Sequence, residues 1–173
     1  DKNLKSDSNA AEADDDFLSA FGSDGFTLSN SNEVNQDTRT FVAWCWSAGD
    51  SNTSVSASGT GNNCVNACTH RANTTSGFSI ITYTGRNDQI SNGQKTRVTH
   101  GLGTKPDMLL IKDLDGAQDW VATRGIDNDN HMHLNTTDAF SGSLFTGNQN
   151  DSTTTYFVVG NETMVNYNIR DFV

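Results

Sequence analysis

A chain of 173 residues fits one domain, or one domain and part of a second. It is 34% hydrophobic and 18% charged, with Ser, Thr, Asn and Gly making up the balance, yet its three Trp, three Tyr and nine Phe argue against disorder, which goes with few aromatics and high charge. A net charge of −10 repels phosphate backbones and argues against nucleic acid as a partner, and no apolar run nears the ~20 residues that span a bilayer, which argues against membrane insertion.

The chain starts at Asp1 without Met, which predicts a processed or excised segment. Asn9, with Glu12 three residues on, has the pattern of a capping box and predicts one short N-terminal helix over Ala10–Phe21. That helix would bury Phe17, Leu18 and Phe21 and leave Asp14, Asp15 and Asp16 on a solvated face. Arg39–Ser47 (RTFVAWCWS) reads as a strand, with Phe41, Ala43 and Cys45 facing one way and Val42, Trp44 and Trp46 the other. Both faces are apolar, so cover on both sides is expected. Weaker strands are expected at Thr53–Ala57, Lys95–Thr99 and His131–Asn135, and stronger ones at Gly77–Thr84, Asp107–Lys112, Asp119–Thr123 and Thr155–Gly160. The fold class is mostly β, an antiparallel sandwich or jelly-roll.

The most informative feature is an internal repeat. Phe26–Val42 (FTLSNSNEVNQDTRTFV) lies over Phe157–Val173 (FVVGNETMVNYNIRDFV) without a gap, and seven of seventeen positions are identical. About one match is expected by chance. The identities include polar positions, Asn30/Asn161, Asn35/Asn166 and Arg39/Arg170, that shared strand patterning would not reproduce. Upstream, Leu4–Asp7 lies over Leu134–Thr137 once one residue is inserted. The expected organisation is a half-repeat at 1–48 that docks on a neighbour, a polar Cys-containing linker at 49–76, and a β-sandwich repeat at 77–173. The chain is out of phase with its own period. Phe26, Phe41, Trp44 and Trp46 of the half-repeat, with Phe172 and Val173 at the other end, are therefore the assembly candidates.

Several segments resemble repeats known elsewhere. They are GFTL…VN…TFVAWCWSAG (Gly25–Gly49), ANTTSGFSIITYTG (Ala72–Gly85), THGLGTKPDMLLIKD (Thr99–Asp113), the tryptophan segment Asp119–Thr123, and LNTTDA (Leu134–Ala139). Together they resemble the structural repeats of tail-fibre-like proteins of aquatic bacteriophages, over most of the chain except Asp50–Arg71. The resemblance implies a β-rich virion or surface-fibre module, often in tandem and often facing carbohydrate.

Other motifs carry less. Cys64 and Cys68 sit in a Gly/Asn-rich stretch and are expected to form a small disulfide, with Cys45 a buried free thiol. Those cysteines with His70 lack the spacing and fourth ligand of a zinc site. His131 and His133 share a strand face, which is at best half a metal site. The loops Asp113–Gly116 and Asp127–Asn130 are oxygen-rich but read as exposed turns rather than calcium sites. His100-Gly101-Leu102-Gly103 before Pro106 reads as a tight turn, not a phosphate loop. No metal or cofactor is expected. Sequons occur at Asn52, Asn73, Asn135, Asn150 and Asn161, but about four arise by chance in a chain of this composition.

No carboxylate pair stands in an apolar setting that would split its pKa values, so no catalytic residue is named. The expected role is mechanical: a non-enzymatic fibre subunit, extracellular or on a virion, whose partner is itself. The alternative is a module that binds a receptor or cell-surface glycan. Trp44, Trp46 and Trp120 buried would favour the scaffold, and exposed would favour binding.

Overall fold

The computed structural model describes residues 2–124, 130–139 and 151–173. Its elements run β1 (Lys2–Asn3), β2 (Ala13–Asp14), β3 (Leu18–Phe21), β4 (Phe26–Leu28), α1 (Asn32–Asn35), β5 (Thr53–Val55), β6 (Cys64–Val65), β7 (Cys68–Asn73) and β8 (Phe78–Thr84). They continue as β9 (Thr96–Thr99), β10 (Met108–Ile111), β11 (Val121–Arg124), β12 (His131–His133), β13 (Tyr156–Val159), α2 (Thr163–Asn166) and β14 (Asp171–Phe172). The chain is mostly β, as expected. No described helix is long and apolar enough to cross a membrane.

Three sheets surround one core. The first has the order β14-β8-β7-β5, all antiparallel. The second is β13-β9-β6, where β6 and β9 run parallel. The third is the meander β10-β11-β12. Cys68, Tyr83, Val98, Leu109, Ile111, Val121, Phe157, Val159, Val165 and Phe172 meet between them, in the manner of a sandwich. Alternation explains which side chains reach this core. On β7, Cys68 and His70 point inward while Thr69 and Arg71 do not. On β10, Leu109 and Ile111 are buried while Met108 and Leu110 are exposed.

Five expectations fail. Ala10–Phe21 is not a helix, because Leu18–Phe21 instead pairs with Phe26–Leu28 as a β-hairpin closed by the Gly22–Gly25 turn. The Gly22 N–H closes that turn on the Gly25 carbonyl at 2.7 Å, and pairing gives the backbone of both strands hydrogen-bond partners. Arg39–Ser47 forms no strand, since no described strand lies beside it to pair with. Residues 49–76 are not a linker: β5, β6 and β7 lie there, and β7 pairs with β8 along its whole length. Cys64 and Cys68 form no disulfide. All three thiols are free, and the two buried ones sit on strands of different sheets. Cys45 is exposed rather than buried, as follows from the missing strand around it.

The structural unit therefore begins well before Gly77. It closes only when the C-terminal segment, Phe157–Val173, is laid across strands from the first half.

Candidate functional site: a closing segment and its exposed counterpart

The second repeat copy, Phe157–Val173, folds as strand, one helical turn, a left-handed turn and a final strand. It closes the unit through several kinds of contact. β13 pairs with β9 from Tyr156↔Thr99 to Val159↔Thr96. β14 pairs with β8, setting Phe172 opposite Tyr83 with their rings stacked at 5.1 Å. Lys112 and Val173 exchange backbone hydrogen bonds of 2.8 and 3.0 Å.

A polar lock lies beneath these strands. The Asn166 side-chain oxygen accepts from Asn66 Nδ2 at 3.0 Å and from the Arg86 backbone N–H at 2.9 Å. Its amide donates to the Gly160 carbonyl at 2.9 Å. The Tyr83 hydroxyl donates to the Val165 carbonyl at 2.6 Å. Arg170 donates to Asp113, which has no exposed surface, at 2.8 Å. A buried carboxylate without such a partner would be costly. Gly85 allows the segment to lie close, since a Cβ there would stand 2.1 Å from the Tyr167 carbonyl oxygen. His100, fully buried, completes the clamp: its Nε2 bonds the Thr153 carbonyl at 3.2 Å while Nδ1 accepts from Leu102 N–H at 3.1 Å. One nitrogen donates and the other accepts, so the ring is neutral, and burial holds its pKa below the ordinary 6.5.

The first copy, Phe26–Val42, repeats this backbone 131 residues earlier. α1 and α2 occupy the same repeat positions. The only positive-φ residues other than glycine among those described are Thr38 at 66° and Ile169 at 58°, again 131 apart. β-Branched residues rarely adopt that region, so the coincidence is specific. The hydrogen bonds repeat as well. Gly22 N–H to Gly25 O (2.7 Å) matches Thr153 N–H to Tyr156 O (2.8 Å), and Asn35 N–H to Ser31 O (2.8 Å) matches Asn166 N–H to Glu162 O (2.9 Å). Asn35 Nδ2 donates to Ser29 O at 3.3 Å, as Asn166 does to Gly160. Upstream, β1 precedes Leu4 as β12 precedes Leu134.

The two copies differ in what covers them. Phe157 and Phe172 are buried, whereas Phe26 is 37% exposed and Phe41 46%. Val165 and Asn166 have no exposed surface, whereas Asn35 is exposed and Val34 half-buried. β4 pairs with β3 alone, where β13 pairs with β9. At the end of the copy Val42 is 77% exposed, and beyond it Trp44 is 74% and Trp46 64% exposed. Trp46 stacks on Phe78 at 5.8 Å, and only at Ala48 does the chain become buried.

Of the six assembly candidates, Phe26, Phe41, Trp44 and Trp46 thus form one exposed stretch. Phe172 and Val173 belong to the closed lock instead. Of the receiving half of that lock, Tyr83, Asn66 and Arg86 were not singled out from sequence, and Asp113 was read only as part of an exposed turn although it is fully buried. The repeated Asn and Arg were the available signal, since paired polar groups imply buried partners.

The remaining motifs make the following contacts. Asp113-Leu114-Asp115-Gly116 holds Arg170 and the Asp171 N–H. His131 and His133 lie with ring centroids 5.2 Å apart, and His133 stands 3.8 Å from Asp119. Among the described residues no three His, Cys, Asp or Glu side chains gather as a metal site. Gly101 and Gly103 take positive φ in a turn, as expected. Asn73 and Asn135 side chains bond backbone N–H groups of Thr75 and Trp120. Asn52 and Asn161 bond Arg71 and Asn92. Asn150, like Asp127, Asn128 and Asp129, lies outside the described residues.

The profile of one family, a domain of unknown function, matches residues 1–173. No curated protein and no solved structure matches the chain.

Proposed function

The chain belongs to the DUF7483 family, a domain of unknown function, and from its own residues we propose that it is a non-enzymatic structural module of an extracellular or virion fibre, joined to its neighbours head to tail through β-interfaces. The observation that supports this most is the exposed counterpart of the closing segment. Phe21, Phe26, Phe41, Val42, Trp44 and Trp46 all lie exposed along one stretch. Leaving a large apolar side chain in water forfeits roughly 1.5–3 kcal/mol relative to burial. Large exposed apolar side chains gathered in one segment are the usual material of an interface.

A second support is a junction within the chain. The N-terminal segment is tied to the complete unit by Glu12 N–H to the Leu114 carbonyl at 3.0 Å and by Trp120 Nε1–H to the Lys5 carbonyl at 2.9 Å. Consecutive periods thus already touch through the turns at one end of the third sheet. A contact between one period and the next is heterologous, and repeated it propagates as a filament. The chemistry-bearing side chains also have structural tasks. Lys112 is fully buried on the Asp113 and Gly116 carbonyls, Asp113 holds Arg170, and His100 holds Thr153.

Negative-stain imaging of the purified chain with light scattering across concentration tests the reading. Filaments or concentration-dependent oligomers support it, and dispersed monomers at high concentration overturn it. One observation favours the alternative, a module that binds receptors or cell-surface glycans: Trp44 and Trp46 are exposed, as stacking on sugars requires. Quenching of tryptophan fluorescence by soluble oligosaccharides, lost in Trp44→Ala with Trp46→Ala, would favour binding over scaffold.

A further inference from the structure

Residues 26–42 carry several of the groups that residues 157–173 use to close the unit, in the same backbone, and their described contacts come from the N-terminal segment (β3, the Phe17 carbonyl on Ser29 N–H, Lys5 beside Glu33) rather than from a half-unit. Val34 offers the carbonyl that Val165 gives Tyr83, and Asn35 the amide oxygen that Asn166 gives Asn66 and Arg86. Arg39 stands where Arg170 meets Asp113, and Phe41 where Phe172 stacks on Tyr83. β4 presents an edge equivalent to the one β13 gives β9. The fold therefore displays, in its own closed unit, the surface that fits the exposed copy.

We propose that residues 26–42 are a second closing segment, and that their occupant is the half-unit of residues 53–113 in another copy of this chain. They enter it where that copy's own residues 157–173 have undocked. Phe157, Val165, Asn166, Arg170 and Phe172 have identical counterparts in the first segment, but the core-facing Val158, Val159 and Met164 are replaced there by Thr27, Leu28 and Glu33, and several peripheral groups differ as well. Asp151, which pairs with Lys95, is replaced in the repeat by Ala20. Tyr156, over which Arg97 lies at 5.0 Å, is replaced by Gly25. Asp171, bonded by Thr84 at 2.7 Å, is replaced by Thr40. The first copy is accordingly the weaker closer. It does not displace residues 157–173 from a closed unit, and it takes a half-unit that stands open. This deepens the head-to-tail reading and rests on it for its role between chains.

The buried thiols of Cys64 and Cys68, on β6 and β7, report whether the half-unit is closed. The test uses the full chain with Cys45→Ser, so that only those two thiols are counted. Val165→Asp with Phe172→Asp disables the second copy. The expected result is that both thiols stay protected from a maleimide, in a concentration-dependent oligomer. Adding Val34→Asp and Phe41→Asp is expected to abolish both protection and oligomer. Equal labelling whether or not residues 34 and 41 are changed overturns the proposal, as does protection in a chain that stays monomeric at all concentrations. The milder pair Val165→Ala with Phe172→Ala weakens the lock without placing charge in the core. There too, labelling must speed up when Val34→Asp and Phe41→Asp are added, and no change overturns the proposal. If the unmodified chain forms no filaments, the fibre reading fails while this thiol comparison stands on its own.

Discussion

At one repeat position Phe41 is 46% exposed and at the next Phe172 has no exposed surface, although the backbones leading to both make the same turn and the same hydrogen bonds. The difference separates two causes that are usually confounded. Local sequence is enough to set strand, helical turn and left-handed residue in both copies. It does not supply cover. The second copy is buried because β8, β9 and the polar lock receive it, and the first is exposed because no described residue does the same.

The contrast can be broken most severely at the rings. Phe172→Ala removes a fully buried side chain stacked on Tyr83 and is expected to cost about 3–5 kcal/mol in denaturant unfolding. Phe41→Ala in dilute protein is expected to fall within about 0.5 kcal/mol of the parent, as exposed positions do. Equal costs would mean that both copies are buried in solution.

Acid sharpens the contrast more gently, because His100 clamps only the second copy. Its folded pKa lies below 6.5 through burial, opposed by its bond to Thr153 and assisted by the nearby His70. His70 is shifted the same way by burial. Below that value the unfolded chain binds more protons than the folded one, so stability falls with pH there. It is complete above about pH 6.5, the unperturbed histidine value, and declines on acidification below it. Urea midpoints between pH 7.5 and 5.5 check this: the parent should weaken, and His100→Gln should lose part of that pH dependence. An unchanged slope in the variant would remove His100 from the account.

Much of the fold was legible where short apolar runs stand between turn residues, as in β8, β10 and β13, whose Ile, Val, Leu and aromatic residues announce strands. The repeat was legible from its polar identities, and the structure extends it to hydrogen bonds and a shared left-handed turn. What misled were patterns read without their partners. Phe17, Leu18 and Phe21 have helical spacing, yet Gly22 and Gly25 turn Leu18–Phe21 back into a hairpin. Arg39–Ser47 has the composition of a buried strand, but pairing is a property of two segments and its partner is not beside it. The inward alternation of Cys68 and His70 was the missed signal for β7, hidden in a stretch rich in Asn, Ser and Gly. The receiving side of the lock was illegible because Tyr83, Asn66 and Asp113 are brought together by topology, from positions far apart in the chain.

Amide hydrogen exchange, read on residues 26–46 and 157–173 as concentration rises, tests the central claim most directly. The second segment should be protected in dilute protein, since its bonds are already made within the chain. The first should exchange fast in dilute protein and become protected at Phe26–Leu28 and Thr40–Trp46 as chains associate. If chains associate while residues 26–46 keep exchanging at their dilute rate, the exposed copy is not the interface and the account is wrong.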